Sequence, residues 1–210
     1  MCSVIGYWPL TPLPEAKEAF ERLFREGSVR GLHAFGLADL GGLSGSIRVV
    51  RSHTPGEITA AFNPELPTIA HTRYSLSGDW HTLENNQPIV FGTRALAFNG
   101  VISMKTKEEM KAEFGMQLTC DNDGEVFLRC LGRGEDPVAF LAQIHGSFAG
   151  VWLDKDGLYA GRNPRRPLWR CEVFGAMWYA STYDIFMRAG FPAASEVRCP
   201  GLAVVQGWHA

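Results

Sequence analysis

Residues 14–26 carry the clearest pattern in the chain. Ala16, Ala19, Phe20, Leu23 and Phe24 recur at helical spacing, while Glu15, Lys17, Glu18, Glu21, Arg22 and Arg25 occupy the other face. This is an amphipathic helix, with Gly27 placed to cap its C-terminus. Ser3–Tyr7 ahead of it is short and apolar, as a buried strand requires. Further strands are expected at His33–Ala38, Ile47–Arg51 and Thr68–Tyr74, and two more within Ile89–Ser103. Thr106 and Glu109 have capping-box spacing before a helix that ends near Gly115. Glu125–Leu131 and Pro137–Ile144 follow as helices. The pattern then turns to strands at Phe148–Leu153, Gly157–Arg162, Trp169–Phe174 and Ala176–Ser181, with Asp154-Lys155-Asp156-Gly157 as the hairpin turn between the first two. Val197–Val205 is the last expected strand. Bunched helices and hairpin-paired strands predict a layered α+β domain and not a βαβ repeat. No Gly-x-Gly-x-x-Gly follows a strand and no P-loop is present, so a nucleotide fold has no support.

The chain has 210 residues, 46% hydrophobic and 20% charged. That suits one folded domain over 1–210 with a sizeable core, and excludes wholesale disorder. The net charge is −2 with no basic block, which argues against a nucleic-acid partner. The densest basic stretch, Arg162, Arg165, Arg166 and Arg170, is interrupted by Pro164 and Pro167 and reads as a turn. No apolar run approaches the ~20 residues that span a bilayer, and no basic region precedes a hydrophobic segment. A cytoplasmic protein without a membrane partner is expected. Of the five cysteines, Cys120, Cys130, Cys171 and Cys199 are expected as buried free thiols, and no Cys-x-x-Cys pair suggests zinc. Trp152, Trp169, Trp178 and Trp208 read first as core, with a docking face as the other reading for one or two of them.

Cys2 directly follows Met1. Removal of Met1 makes Cys2 the mature N-terminus, so one residue carries a thiol and a free α-amine. With reference pKa values near ~8.5 and ~7.7–8.0, the amine can take the thiol proton close to neutral pH. Arg73 closes a strand in Ala70-His71-Thr72-Arg73-Tyr74, where a guanidinium can clamp a carboxylate. Asn99 and Gly100 can offer a side-chain and a backbone N–H to an oxyanion. Asp123, in Asp121-Asn122-Asp123-Gly124-Glu125, can pair with an ammonium. Each has a plainer reading: Arg73 as an ordinary salt-bridging residue, Asn99-Gly100 as a tight turn, Asp123 as a helix N-cap, and His71 as a hydrogen-bonded structural histidine.

Taken together, these segments resemble the class II glutamine amidotransferase domain, a member of the N-terminal nucleophile hydrolases. Met1-Cys2, Arg30-Gly31 with Gly36 and Ala38, Ile69–Tyr74, Glu84–Pro88 and Phe98–Ile102 are similar to successive family segments. So are Asp121–Val126, Gly146–Gly150, Ala160–Leu168 and Tyr179-Ala180-Ser181, in the same order and with matching spacing. The resemblance runs over most of the chain. It implies a four-layer αββα sandwich and hydrolysis of L-glutamine to glutamate and ammonia. Cys2 would be the nucleophile, Asn99 and Gly100 the oxyanion donors, Arg73 and Asp123 the clamps on the α-carboxylate and α-ammonium, and Tyr74 a neighbour in substrate binding.

No metal or organic cofactor is implied. The resemblance further implies a separate ammonia-accepting synthetase subunit, since no ATP or phosphoribosyl motif is visible. A stand-alone amidohydrolase on a γ-glutamyl or other amide is the alternative, as is a non-catalytic binding subunit of the same fold. The sequence departs from the family at His33 in place of an acid, Phe98 in place of a histidine, and Asn163 in place of an aspartate. Ser75-Leu76-Ser77-Gly78 stands where Thr-His-Gly is frequent. A lid over Tyr74–His81, with Gly78 as its hinge, is therefore an open expectation.

Overall fold

The N-terminal strand β1 (Ser3–Pro9) is buried along its whole length, because both of its faces meet apolar layers. Val4 and Trp8 point to one layer, and Ile5 and Tyr7 to the other. This explains why the segment reads as a continuous apolar run and not as an alternation. The structure is a computed structural model that describes residues 1–41, 45–75 and 79–199, with the backbone of 201–206.

Two antiparallel sheets lie face to face. The larger has the order β11 (Ser195–Glu196), β9 (Trp169–Val173), β10 (Ala176–Ala180), β1, β4 (Thr68–Arg73), β2 (Ala34–Gly41), β3 (Ser46–Ser52). The smaller has the order β12 (Gly201–Gln206), β8 (Gly157–Arg162), β7 (Ser147–Asp154), β6 (Arg94–Val101), β5 (Ile89–Phe91). Val4, Ala38, Leu40 and Ile69 of the first sheet pack on Ala95, Ala97, Ala149, Val151 and Leu158 of the second. Helices cover the outer faces. Of these α1 (Glu15–Ser28), α2 (Pro55–Ala61) and α6 (Tyr183–Arg188) lie on the larger sheet, and α4 (Gly124–Gly132) and α5 (Pro137–Gln143) on the smaller. Helix α3 (Lys107–Phe114) packs beside α4 through Met110, Val126 and Cys130. The layers are those of an αββα sandwich.

Most expected elements are present. The capping box at Thr106 and Glu109 is formed in full, and Gly115 ends α3 in the left-handed conformation. The hairpin turn closes with Asp154 opposite Gly157. Two expectations need correction, and two helices are additional. Gly27 lies inside α1, which runs on to Ser28. It is there because the helix crowds β1: a Cβ on Gly27 would stand 2.9 Å from Ser3 Oγ, and Thr72 Oγ1 donates to its carbonyl at 3.0 Å. The strand expected over Val197–Val205 begins later, as β12 in the smaller sheet, and the two-residue β11 before it pairs in the larger sheet. Helices α2 and α6 have no counterpart in the sequence reading. Each is shorter than two full turns, too brief for periodicity to emerge.

Trp178 and Trp152 are buried core residues and Trp169 is partly buried. Trp208 lies outside the described residues. Cys120, Cys130 and Cys171 are buried free thiols, whereas Cys199 is only half-buried. Among the described residues no helix is long and apolar enough to cross a membrane.

Phe20 anchors α1 to the larger sheet. It is fully buried and stacks on Phe62 with ring centroids 4.0 Å apart. Phe20→Ala is expected to cost about 3–5 kcal/mol, read as a lowered urea midpoint at unchanged slope. An unchanged midpoint would mean that the α1 layer contributes little to global stability.

Candidate active site

The site lies between the two sheets, at the end where β1 begins. Strand β1 runs antiparallel to β4, with Ser3 opposite Thr72 and Val4 opposite His71. Side chains two residues apart share a face, so His71 and Arg73 follow Ile69 onto the inner face of the larger sheet. Asn99 follows Ala97 onto the inner face of the smaller one. A cavity of about 110 Å³ opens there, with Cys2, His71, Arg73, Gln87, Asn99 and Asp123 in its wall. A second cavity of about 310 Å³ adjoins it, sharing Arg73, Ser103, Met104, Asn122 and Asp123 and adding Lys105 and Lys107.

Three backbone interactions hold Cys2 in place. Tyr74 N–H donates to Cys2 Sγ at 3.4 Å, and Sγ in turn donates to the Tyr74 carbonyl at 3.6 Å. Arg30 Nε donates to the Cys2 carbonyl at 3.1 Å. Just beyond, Ser181 Oγ accepts from the Val4 N–H at 2.8 Å, which fixes the start of β1. Burial raises the Cys2 thiol pKa, opposed by the Tyr74 contact, the N-terminal charge, Arg73 and Arg30. The resting sulfur is a thiol, and a nearby base is needed to ionise it.

Gly100 is not in a turn. It sits in β6 opposite Phe148 of β7, and a Cβ there would overlap the Ser147 carbonyl. Phe148 turns its own N–H and C=O away from Gly100, toward Asn163, at 3.1 and 2.9 Å. Gly100 and Phe148 are thus a non-hydrogen-bonded pair, and the Gly100 N–H points to the opposite edge of β6. Strand β5 covers that edge only as far as Leu96. Beyond it, Phe98 N–H donates to Gln87 Oε1 at 2.6 Å and Ile102 N–H to Asp123 Oδ2 at 2.6 Å. Gly100 lies between these two, its N–H on the stretch of edge that β5 leaves open. Asn163, at the family's aspartate position, has a structural role: its side-chain oxygen accepts the Phe148 N–H, its backbone N–H donates to the Phe148 carbonyl, and its side-chain NH₂ donates to the Gly146 carbonyl at 2.9 Å.

Asp123 precedes α4 but makes no side-chain cap bond to that helix. Its carboxylate reaches instead to the Ile102 and Ser103 N–H groups, at 2.6 and 3.0 Å. Burial raises its pKa, against the pull of those hydrogen bonds. Arg73 is 7% exposed. It donates to the Asn85 carbonyl at 2.7 Å, to Asn86 Oδ1 at 2.5 Å and to Ser75 Oγ at 3.2 Å. The guanidinium is thereby fixed at the shared wall of the two cavities. Tyr74 contributes its backbone to Cys2. Its ring is exposed and stacks on His33 at 4.9 Å.

Against this geometry the comparisons are specific. A family model described as a glutamine amidotransferase domain matches residues 71–188, more than half of the chain. The chain belongs to the glutamine amidotransferase domain family. The matched segment contains Arg73, Asn99, Gly100 and Asp123; Cys2 lies ahead of it and is brought in by β1.

The amidotransferase domain shares its fold with glutamine phosphoribosylpyrophosphate amidotransferase from B. subtilis, at 20% identity and a TM-score of 0.74 over 98% of this chain. The structure of an allosteric regulatory enzyme of purine biosynthesis matches equally well, at 21% identity and a TM-score of 0.74. This chain spans about half of each, 47% of their length. A class II glutamine aminotransferase domain protein from Silicibacter pomeroyi matches over 98% of this chain and 99% of its own, at 12% identity and a TM-score of 0.56. Curated protein sequences give no significant match.

Several contributors to the amidotransferase site escape a reading by residue type. Arg30, Asn85, Asn86, Gln87 and Ser181 all stand in segments similar to the family's, but only folding shows what each one holds. His33 also acquires a role, because its Nδ1 accepts the Ser75 N–H at 2.9 Å and its ring stacks on Trp80 at 5.1 Å. Residues 76–78, with the expected hinge at Gly78, lie outside the described residues.

His71 departs most from its plain reading. It is 1% exposed, and neither ring nitrogen has a hydrogen-bond partner among the described groups. Burial and the Arg73 charge push its pKa down to about 3, against a smaller pull from the Phe98 backbone close by. The unfolded chain binds a proton at His71 below about pH 6.5, and the folded chain does so only near pH 3. Stability is therefore expected to fall as pH drops through that window, by up to about 1.4 kcal/mol per pH unit. Urea titrations at pH 7 and pH 5 should show this loss in the wild type and a smaller one in His71→Leu. Equal losses in the two proteins would refute a neutral buried His71.

Proposed function

We propose that residues 1–210 form one glutaminase domain, with Cys2 as the nucleophile once Met1 is removed. The observation that carries this reading is the convergence of Cys2, Arg73, Asn99, Gly100 and Asp123 on one cavity. They come from separate segments and match the charges and the reacting bond of glutamine. Arg73 takes the α-carboxylate in a bidentate pair and Asp123 takes the α-ammonium. The side-chain amide then reaches Cys2.

The α-amine of mature Cys2 accepts the thiol proton as Sγ attacks the amide carbon. The carbonyl oxygen becomes an oxyanion held by the Gly100 N–H and the Asn99 side chain. The protonated amine passes its proton to the leaving nitrogen, the C–N bond breaks, and ammonia departs. Water then attacks the thioester, the C–S bond breaks, and glutamate is released with the thiol restored. Tyr74 acts through its backbone, which keeps Sγ aimed at the carbonyl.

No ATP or phosphoribosyl motif lies within these residues, so we assign the ammonia to a synthetase acceptor site that lies outside them. The buried free thiols suit the reducing cytoplasm.

Incubation with a glutamine-like diazoketone, followed by intact-mass analysis, tests the nucleophile. The expected result is loss of Met1 and one adduct mapped to Cys2; an unmodified Cys2 in protein lacking Met1 contradicts the reading. Asn99→Ala is expected to lower kcat for glutamine hydrolysis by roughly 10²–10³-fold with KM little changed. An Asn99→Ala enzyme with wild-type kcat would remove Asn99 from the oxyanion site.

A further inference from the structure

Apart from its clamps and donors, the cavity holds a polar group to which the reaction above gives no task. His71 stands opposite Val4, on the strand face it shares with Arg73. It is therefore a diagonal cross-strand neighbour of Cys2, within reach of one small molecule between them. Both residues line the same cavity. A fully buried imidazole with no hydrogen-bond partner in good geometry, the nearby Phe98 backbone aside, is costly. An apolar residue of similar size would be the cheaper filler, as Ile69 is two positions earlier on the same face. Gln87 lies in the same wall. Its Oε1 is committed to the Phe98 N–H, which leaves its NH₂ as a donor.

We propose that His71 is a positioning residue for the water that hydrolyses the Cys2 thioester, and that its ring nitrogen accepts a hydrogen bond from that water. This inference rests on the glutaminase reading above. The two tetrahedral intermediates of that reaction share the Cys2 sulfur, the oxyanion and the glutamyl carbon. They differ only in the fourth substituent, which is the departing nitrogen in the first and the incoming oxygen in the second. In the proposed arrangement Asn99 and Gly100 hold the oxyanion, and the fourth substituent is assigned to the part of the same cavity that His71 lines.

The step balances. Water oxygen bonds to the thioester carbon as the C–S bond breaks. One water proton passes through the Cys2 amine to the sulfur, and the other leaves with the carboxyl group of glutamate and is released on its ionisation. Because His71 stays neutral, it orients the water as an acceptor and does not remove its proton. A molecule of this size needs two to four polar partners, and the ring nitrogen and the Cys2 amine, which takes the transferred proton, supply two.

The test separates the two half-reactions in His71→Leu and His71→Gln. In His71→Leu, alkylation of Cys2 by the diazoketone should stay within about twofold of wild type, while kcat falls roughly 10- to 100-fold. The γ-glutamyl thioester should then accumulate by intact mass, and hydroxylamine, a stronger nucleophile, should restore turnover. His71→Gln, which keeps an acceptor, should recover much of kcat. Parallel loss of alkylation and turnover, or wild-type turnover without thioester, would overturn the proposal. If His71→Leu does not fold, a high-resolution crystal structure of the wild type decides. It should show an ordered water on a His71 nitrogen, and a ring without one would overturn the proposal. A wild type that neither reacts with the diazoketone nor hydrolyses glutamine would instead refute the glutaminase reading itself.

Discussion

The placement of β1 at the centre of the larger sheet, with both faces buried, constrains everything else in this domain. A chain terminus is ordinarily mobile unless it is tied into a sheet. Here the first strand pairs with β10 on one side and β4 on the other. Two layers of apolar side chains bury it, and Ser181 and Arg30 hold its first residues. A reactive group at position 2 can therefore be aimed as well as one in mid-chain. The same pairing sets the distance from Cys2 to Arg73 and His71, since register along an antiparallel ladder leaves no freedom.

The second constraint is the point where the ladder between β5 and β6 stops short. At Phe148 the backbone bonds turn to Asn163, so the opposing Gly100 directs its N–H outward, to an edge that the short β5 does not reach. Gln87 and Asp123 take the neighbouring N–H groups on that edge. A sheet edge, elsewhere a liability, becomes a place where a single donor faces a cavity. Glycine is needed because the strand opposite passes too close for a Cβ. Asn163 retains this arrangement although it replaces an acid, since one amide oxygen and one amide NH₂ are what the neighbouring backbone uses.

Electrostatically the site is a set of charges held out of water. Arg73 and Asp123 meet at the junction of two cavities, each committed in part to the protein through carbonyl, amide or backbone partners. Those partners fix orientation in advance, so little order would have to be created on binding the zwitterion proposed above. Burial favours the uncharged thiol and the uncharged His71, so the roles proposed for them would depend on hydrogen bonding and on proton transfer at the moment of reaction.

Much of this was legible in the chain. The amphipathic helix α1, the capping box of α3 and the hairpin at Asp154 are local, and each is decided by side chains within a few residues of one another. The apolar runs announced strands buried on both faces, and ordered short segments placed Cys2, Arg73, Asn99, Gly100 and Asp123 as candidates. What depends on contacts between distant segments was not legible. Gly27 looked like a cap and is a close approach to β1. Asp123 had the chemistry of an N-cap and turns back to the two residues that follow β6. Asn99-Gly100 had the composition of a turn and lies in a strand, because β7 beside it supplies a partner stronger than local preference. His71 looked like a satisfied core histidine, and only the packing of two sheets left it buried beside a cavity without a well-placed hydrogen-bond partner. Sequence determined which residue types were available and which local elements they form; tertiary structure decided which backbone and side-chain groups remain unpartnered, because hydrogen-bond satisfaction belongs to the whole fold.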